Sequence, residues 1–211
     1  TLNLLRTEST TEITNETEIE NLNDTTTAER NELSSETAKE LGLKVPFIRP
    51  QELAQDTTPT IDVIIHALKW YEEQNIFFDA VCLLQVTSPF RTVEFLDAAI
   101  HKFADQKSDS LVSVCRVPHE YNPHWTFEVN QEGNLNIATG EEKIISRRQE
   151  LPLAYHRDGS IYITKTEVLL KEYSLYGKSI AFIESEPEFY VNIDTMRDWQ
   201  KAEEMIQNKL K

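Results

Sequence analysis

Positive charge is scarce in this sequence: 21 Lys and Arg stand against 36 Asp and Glu, giving a net charge of -15 over 211 residues. Nucleic acids and anionic membranes reward Lys- and Arg-rich surfaces, so neither is expected as the main partner. An anionic ligand would need cations concentrated locally, or a metal. Cysteine is limited to Cys82 and Cys115, both inside apolar, strand-like runs. Two such thiols suit a reducing compartment better than a disulfide framework, so a cytoplasmic location is expected. No apolar run approaches the roughly 20 residues of a membrane span, and the first residues lack the charged-then-apolar pattern of a signal peptide. Thr rather than Met opens the sequence, as expected of a fragment. Glycine and proline are absent from residues 1–36, which are rich in Thr, Glu and Asn with scattered aliphatics such as Leu4, Leu5, Ile13 and Ile19. So little apolar surface does not offset the entropy of ordering, and 1–36 is expected to be a disordered or atypical N-terminal segment. Asn15-Glu16-Thr17 and Asn23-Asp24-Thr25 match the glycosylation sequon, a cheap coincidence in Thr-rich sequence.

What remains, residues 37–211, is long enough for one α/β domain with a real core. Its centre is Ala80 to Arg91, AVCLLQVTSPFR. An unbroken apolar run, a Thr-Ser-Pro turn and a helical pattern from Thr92 fit a strand buried on both faces of a parallel sheet. Ligands in open α/β sheets bind beyond the carboxyl ends of such strands, where Gln85, Thr87, Ser88 and Arg91 would stand. A core strand with an ordinary Ser-Pro turn and a solvent Arg is the competing reading, and these residues alone leave both open.

Around this centre the pattern predicts a short helix Ser35 to Leu41 capped by Gly42 and a strand Leu43 to Ile48. A helix opened by Thr57 or Thr58 follows, with Pro59 in its first turn and Ile61, Ile64, Ile65, Leu68 and Tyr71 on one face. His66 reads as packing, since no second ligand lies at helical spacing from it. A helix Val93 to Phe103 and a strand Ser110 to Val117 complete a right-handed crossover. PHEYNPHW then breaks the pattern, and His119 and His124 read as loop packing rather than metal ligands. A hairpin is expected around Gln131 to Asn134. Lys143, Arg147 and Arg148 form the dense cationic cluster of an acidic chain and are expected to meet an anion rather than line a solvated turn. Asp158-Gly159 reads as a turn, Ser160 to Thr164 as a strand, Lys165 to Tyr173 as a helix and Ser179 to Ile183 as a strand. A last strand ends at Asn192-Ile193-Asp194 before a helix from Thr195 that buries Trp199, Ala202 and Ile206. Residues two apart on a strand share a face, so Asn192 and Asp194 would hold Mg²⁺ together with phosphate oxygens. As a bare pattern the same residues are more often a helix cap.

Taken together, LLQVTSPFR, the Arg-Arg-Gln-Glu-Leu-Pro stretch, YHRDGSIYI, VNIDTMRDW and ELAQDTTPTIDVIIHAL resemble the acylneuraminate cytidylyltransferases, or CMP-sialic acid synthetases, from about Leu41 to Ile206. The resemblance implies a Rossmann-like, glycosyltransferase-A-like nucleotidyltransferase with a mostly parallel sheet and a small β dimerisation excursion at 118–155. It implies the reaction of CTP with a sialic-type nonulosonic acid, with Mg²⁺ as cofactor, giving the CMP-sugar and pyrophosphate. By the same resemblance Gln85 lies at the sugar site, Arg148 meets the sugar carboxylate, often across a homodimer, and Tyr162 lies beside the sugar. Ser88, Arg91, Arg157, Asp158 and Gly159 complete the implied substrate-binding set, Asp194 and Arg148 are its catalytic residues, and Asp194 with Asn192 is the metal pair. Asn192 stands where the family has a carboxylate, Asp158 where Asn is common, and His156 where Arg is common, with Arg157 next door as a substitute. The family's glycine-rich R-x-G-S-K-type loop has no counterpart in residues 1–36, so weak CTP binding is expected, because backbone N–H groups of such a loop cradle the phosphates. The alternative reading is a catalytically silent relative acting as a dimeric binding or assembly module. A homodimer is expected from exposed Tyr121, Trp125 and Phe127.

Overall fold

Ala80–Leu84 forms β2, and its side chains serve two cores at once. Ala80, Cys82 and Leu84 face helix α3 (Val93–Gln106), packing with Ala99, Phe95, Leu96, Ile100 and Phe103. Val81 and Leu83 face the other way, onto Ile61, Ile64 and Leu68 of α2 (Thr60–Glu73) and Leu169 of α4 (Thr166–Glu172). A strand apolar on both faces is what this sandwiching requires, and each fully buried Ile or Leu contributes roughly 1.5–3 kcal/mol. The computed structural model describes residues 2–5, 27–55, 57–187 and 190–209.

The remaining elements are β1 (Leu2–Leu5), α1 (Thr27–Glu40), β3 (Ser110–Arg116), a hairpin of β4 (Phe127–Val129) and β5 (Leu135–Ile137), β6 (Tyr155–Lys165), β7 (Ile180–Glu184) and α5 (Met196–Lys209). The main sheet has the order β1-β2-β6-β3-β7. Strands β2, β3 and β7 share one direction, but β6 lies between β2 and β3 and runs antiparallel to both. Among the described residues only β3 and β7 pair in parallel, so the sheet is mixed rather than mostly parallel. The β2-α3-β3 crossover therefore spans a gap that a later, oppositely directed strand fills. No helix among the described residues is long and apolar enough to cross a membrane.

Several local expectations are corrected. Leu2–Leu5 pairs antiparallel with β2, and α1 starts at Thr27, so parts of the N-terminal segment carry regular structure. Both sequons lie outside the described residues. Helix α1 ends where expected: Gly42, at φ 79°, donates to Lys39 O while Leu43 N donates to Ala38 O, the paired bonds of a left-handed C-terminal cap. Residues 43–48 form no ladder. Phe47 instead packs on His66, Trp70 and Tyr71 of α2, which gives His66 its packing role. Pro59 precedes α2 as its N-cap rather than sitting inside the first turn. Residues 190–194 are likewise no strand: Ile193 N donates to Thr87 O at 2.8 Å, a single tie to the loop after β2 in place of a ladder. In α5 Ala202 is buried but Ile206 is exposed. Within 118–155 Tyr121 and Phe127 are exposed as expected, whereas Trp125 is half-buried and its indole N–H donates to Ile145 O.

Candidate active site

The carboxyl ends of β2, β3 and β7 and the amino end of β6 share one edge of the sheet, and most of the expected site residues gather there. Gly159 is the meeting point. Its φ is +83°, and a methyl group built on its Cα would stand 3.1 Å from Gln85 Oε1, 3.5 Å from Asn192 Oδ1 and 3.6 Å from Ser88 Oγ. The left-handed backbone favours glycine, and a side chain here would press first on Gln85 Oε1. Three residues separated by up to 107 positions in sequence thus converge on one backbone atom. Ser88 is 6% exposed, and Ser88 Oγ and Asn192 Oδ1 are buried without a protein partner.

Arg91 holds this edge together. Its Nη2 donates to Gln85 O at 2.9 Å, and its Nε is shared between Ser160 O at 3.1 Å and Ser160 Oγ at 3.2 Å. Burial lowers the guanidinium pKa from its ordinary value, and the Asp158 carboxylate is among the groups that oppose this. Arg91 thus stitches the end of β2 to β6, and two of its nitrogens are spent on the protein. Asp158 is 3% exposed, and its carboxylate accepts from Ser113 Oγ, Ser160 N and Ser185 Oγ. Ser88, Arg91, Asp158, Ser160, Ser185 and Tyr190 all border a cleft of about 310 Å³ on the α3 side of the edge.

On the opposite face Arg157 Nη1 donates to Tyr176 Oη at 3.3 Å, and the Tyr162 ring stands edge-on to Tyr176 at 6.4 Å. Burial pushes the Tyr162 phenol above its ordinary pKa. Burial also raises Cys82 to about 12 and Cys115 to about 11, leaving both thiols protonated and unreactive at neutral pH.

Asn192 and Asp194 touch: Asn192 Nδ2 donates to Asp194 Oδ2 at 2.5 Å. Asp194 is exposed, and the turn behind it is locked by Asp198, whose Oδ2 accepts from Asp194 N, Thr195 N and Thr195 Oγ1 while Asp198 N donates to Thr195 Oγ1. The stretch is therefore a reciprocal helix cap, tied to Asp194 through its backbone N.

Arg148 lies elsewhere. It opens a one-turn helix, Arg148–Glu150, and borders a second cleft of about 340 Å³ with Arg116, His119, Asn122 and Pro152. Its neighbour Arg147 pairs with Glu150 at 3.7 Å. His124 is bonded to Glu141 at 2.5 Å. Gln85, Ser88, Gly159 and Asn192 are brought together, with Arg91, Asp158 and Asp194 behind or beside them, while Arg148 is not among them. Sequence reasoning missed Ser113, Ser185 and Tyr176, and it placed Thr87 at the site without its backbone tie to Ile193. Ser113 had one signal, a hydroxyl in the middle of the apolar run SLVSVCR.

No protein-family model matches the chain. Two solved structures share its fold: 4-diphosphocytidyl-2C-methyl-D-erythritol synthase from Anaerococcus prevotii, with a TM-score of 0.56 at 10% identity over 85% of this chain and 78% of that one, and CMP:2-keto-3-deoxy-manno-octonic acid synthetase complexed with CTP, with a TM-score of 0.55 at 14% identity over 83% and 77%. Among curated relatives, the pseudaminic acid cytidylyltransferase of Campylobacter jejuni is 29% identical over 79% of this chain and 71% of its own length. The CMP-N,N'-diacetyllegionaminic acid synthase of Legionella pneumophila is 32% identical over 177 residues, 82% of this chain and 73% of the relative. On that identity and coverage the chain belongs to the acylneuraminate cytidylyltransferase, or CMP-sialic acid synthetase, family.

Proposed function

We propose that the protein activates a sialic-type nonulosonic acid with CTP, releasing pyrophosphate and forming the CMP-sugar, at the sheet edge where Gln85, Ser88 and Asn192 converge on Gly159. That convergence carries the reading, because it assembles polar groups from three chain segments where an α/β sheet binds its ligand. The reaction is in-line attack of the sugar's anomeric hydroxyl on the α-phosphorus, and positioning dominates such a transfer. Gln85 orients the sugar, held through its own backbone carbonyl by Arg91. Arg148 anchors the sugar carboxylate from a second copy of the chain, consistent with its place in a separate cleft and with Tyr121, Phe127, Val129 and Leu135 exposed on the same excursion. Sedimentation at micromolar concentration checks this: a dimer is expected, and a monomer overturns the shared site.

The donor set fits Mg²⁺ in one way only. Among the described residues no group of three or more His, Cys, Asp or Glu side chains stands together as a metal site. Asp194 offers one exposed carboxylate, whereas the Asn192 amide turns its nitrogen to Asp194 and its buried oxygen toward Gly159. One carboxylate suits a Mg²⁺ whose remaining ligands are phosphate oxygens and water, with the Asn192 oxygen joining it only when the amide turns over. When bound there, the ion supplies neutralisation of phosphate charge. The hydrogen-bonded turn around Thr195 fixes the backbone that carries Asp194.

A pyrophosphate-release assay with CTP, Mg²⁺ and a panel of sialic, legionaminic and pseudaminic acids tests the reading. Release that depends on the sugar acid supports it. Absence of release, with both ligands still bound, would favour a silent dimeric binding module.

A further inference from the structure

Strands β3 and β6 fall out of step at the site. Val112 pairs with Tyr162 and Val114 with Arg157, so β3 advances two residues while β6 advances five. The three extra residues belong to a bulge around Asp158–Ile161, and bulges beside active sites re-aim what they carry. This one turns Gly159 onto Gln85, Ser88 and Asn192.

The bulge is stitched from inside by one hydroxyl. Ser113, 0% exposed on β3 between the two paired positions, accepts from Ile161 N at 2.7 Å and donates to Asp158 Oδ1 at 2.5 Å. Asp158 Oδ1 also accepts from Ser160 N at 2.9 Å, closing a tight turn around Gly159, and its Oδ2 accepts from Ser185 Oγ beyond β7. Asp158 borders the cleft, and its carboxylate is engaged by three bonds from within the protein, which hold the turn around Gly159.

We propose that Ser113 and Asp158 are positioning residues for the sugar acid: their buried bond maintains the β6 bulge that presents Gly159 to Gln85, Ser88 and Asn192. The inference rests on the sugar-activating reading of the same edge. Ser113 lies behind the sheet edge in the core, so its effect on a ligand passes through the bulge it bonds, by way of Asp158 and Ile161. An amide at 158 preserves the arrangement, since Asn Oδ1 accepts from Ser113 and Ser160 N while its Nδ2 donates to Ser185 Oγ. The structure therefore separates Asp158→Asn from Asp158→Ala.

The test uses the full chain with Ser113→Ala, Asp158→Ala and Asp158→Asn. Glycine-labelled amide spectra report Gly159 directly, one of only five glycines, and calorimetry reports N,N'-diacetyllegionaminic acid and CTP separately. The Gly159 resonance should move in both alanine variants and stay in Asp158→Asn. Legionaminic acid affinity should fall roughly tenfold or more in the alanine variants, which remove two bonds of Ser113 or three of Asp158, with CTP affinity unchanged. A Gly159 resonance unmoved in Ser113→Ala overturns the proposal, as does an equal loss for both ligands in step with a lowered thermal midpoint. If Asp158→Ala does not fold, Ser113→Ala and Asp158→Asn decide alone. If the unaltered chain binds no sugar acid while Gly159 still responds, the functional reading fails and the stitch stands.

Discussion

Replacing Arg91 with Ala removes a guanidinium that serves two backbone carbonyls at once, Gln85 O through Nη2 and Ser160 O through Nε. Hydrogen bonds to charged donors contribute roughly 1.5–3 kcal/mol each, and their loss leaves half-buried carbonyls short of a partner. Water reaches the vacated space, so the lower end of the range applies, about 3 kcal/mol in all for the two bonds. At roughly 2–4 °C per kcal/mol for a chain of this size, the thermal midpoint should drop by about 6–12 °C. Arg91→Lys, a point charge with a narrower reach, should recover about half of that. Urea unfolding followed by circular dichroism gives the free energy, and an unchanged slope with denaturant confirms that the effect lies in the native state. A loss below about 1 kcal/mol together with a tenfold fall in CTP affinity would refute the reasoning, and would mean that Arg91 serves the ligand rather than the sheet edge.

Three further outcomes follow from the same geometry. Asp194→Asn should abolish Mg²⁺-dependent CTP binding, measured by calorimetry with and without the ion, while changing stability by no more than about 0.5 kcal/mol, because the side chain is exposed. Arg148→Ala should weaken sugar-acid binding by roughly tenfold or more through loss of a charge-assisted pair, with CTP affinity unchanged in the same calorimeter. Asp109 joins the starts of β3 and β7 by accepting from Lys178 N and Ser179 N, bonds that hold its carboxyl below the usual aspartate pKa. A depressed carboxyl stabilises the fold above its unfolded pKa and loses that contribution as pH falls through the folded value. Asp109→Asn should therefore flatten the decline of stability below about pH 3.9, read from urea midpoints across acidic buffers.

Local pattern made several elements legible. The buried run of β2, the amphipathic face of α3, the hairpin turn near Gly133 and the cap at Gly42 each depend on residues close in sequence. The sheet order did not follow, because nothing near Tyr155–Lys165 states that this strand enters between β2 and β3 against their direction. Residues 190–194 and 43–48 carry strand-like composition, yet one takes a single tie to Thr87 and the other spends its aromatic side chain on α2. Composition reports the preference for extended backbone, whereas a ladder needs an edge within reach. In the site, Gln85, Ser88, Gly159 and Asn192 were legible as motif residues. The bulge that unites them was not, since it depends on Ser113, 45 residues before Asp158.

Phosphorus-31 spectra of CTP incubated with the protein, Mg²⁺ and a nonulosonic acid follow the transferred phosphorus itself. The expected result is loss of the triphosphate signals with matched growth of one phosphodiester and one pyrophosphate signal, only when the sugar acid is present. Triphosphate that persists unchanged with every acid of the panel, or that decays to diphosphate and phosphate without a phosphodiester, would contradict cytidylyl transfer at this site.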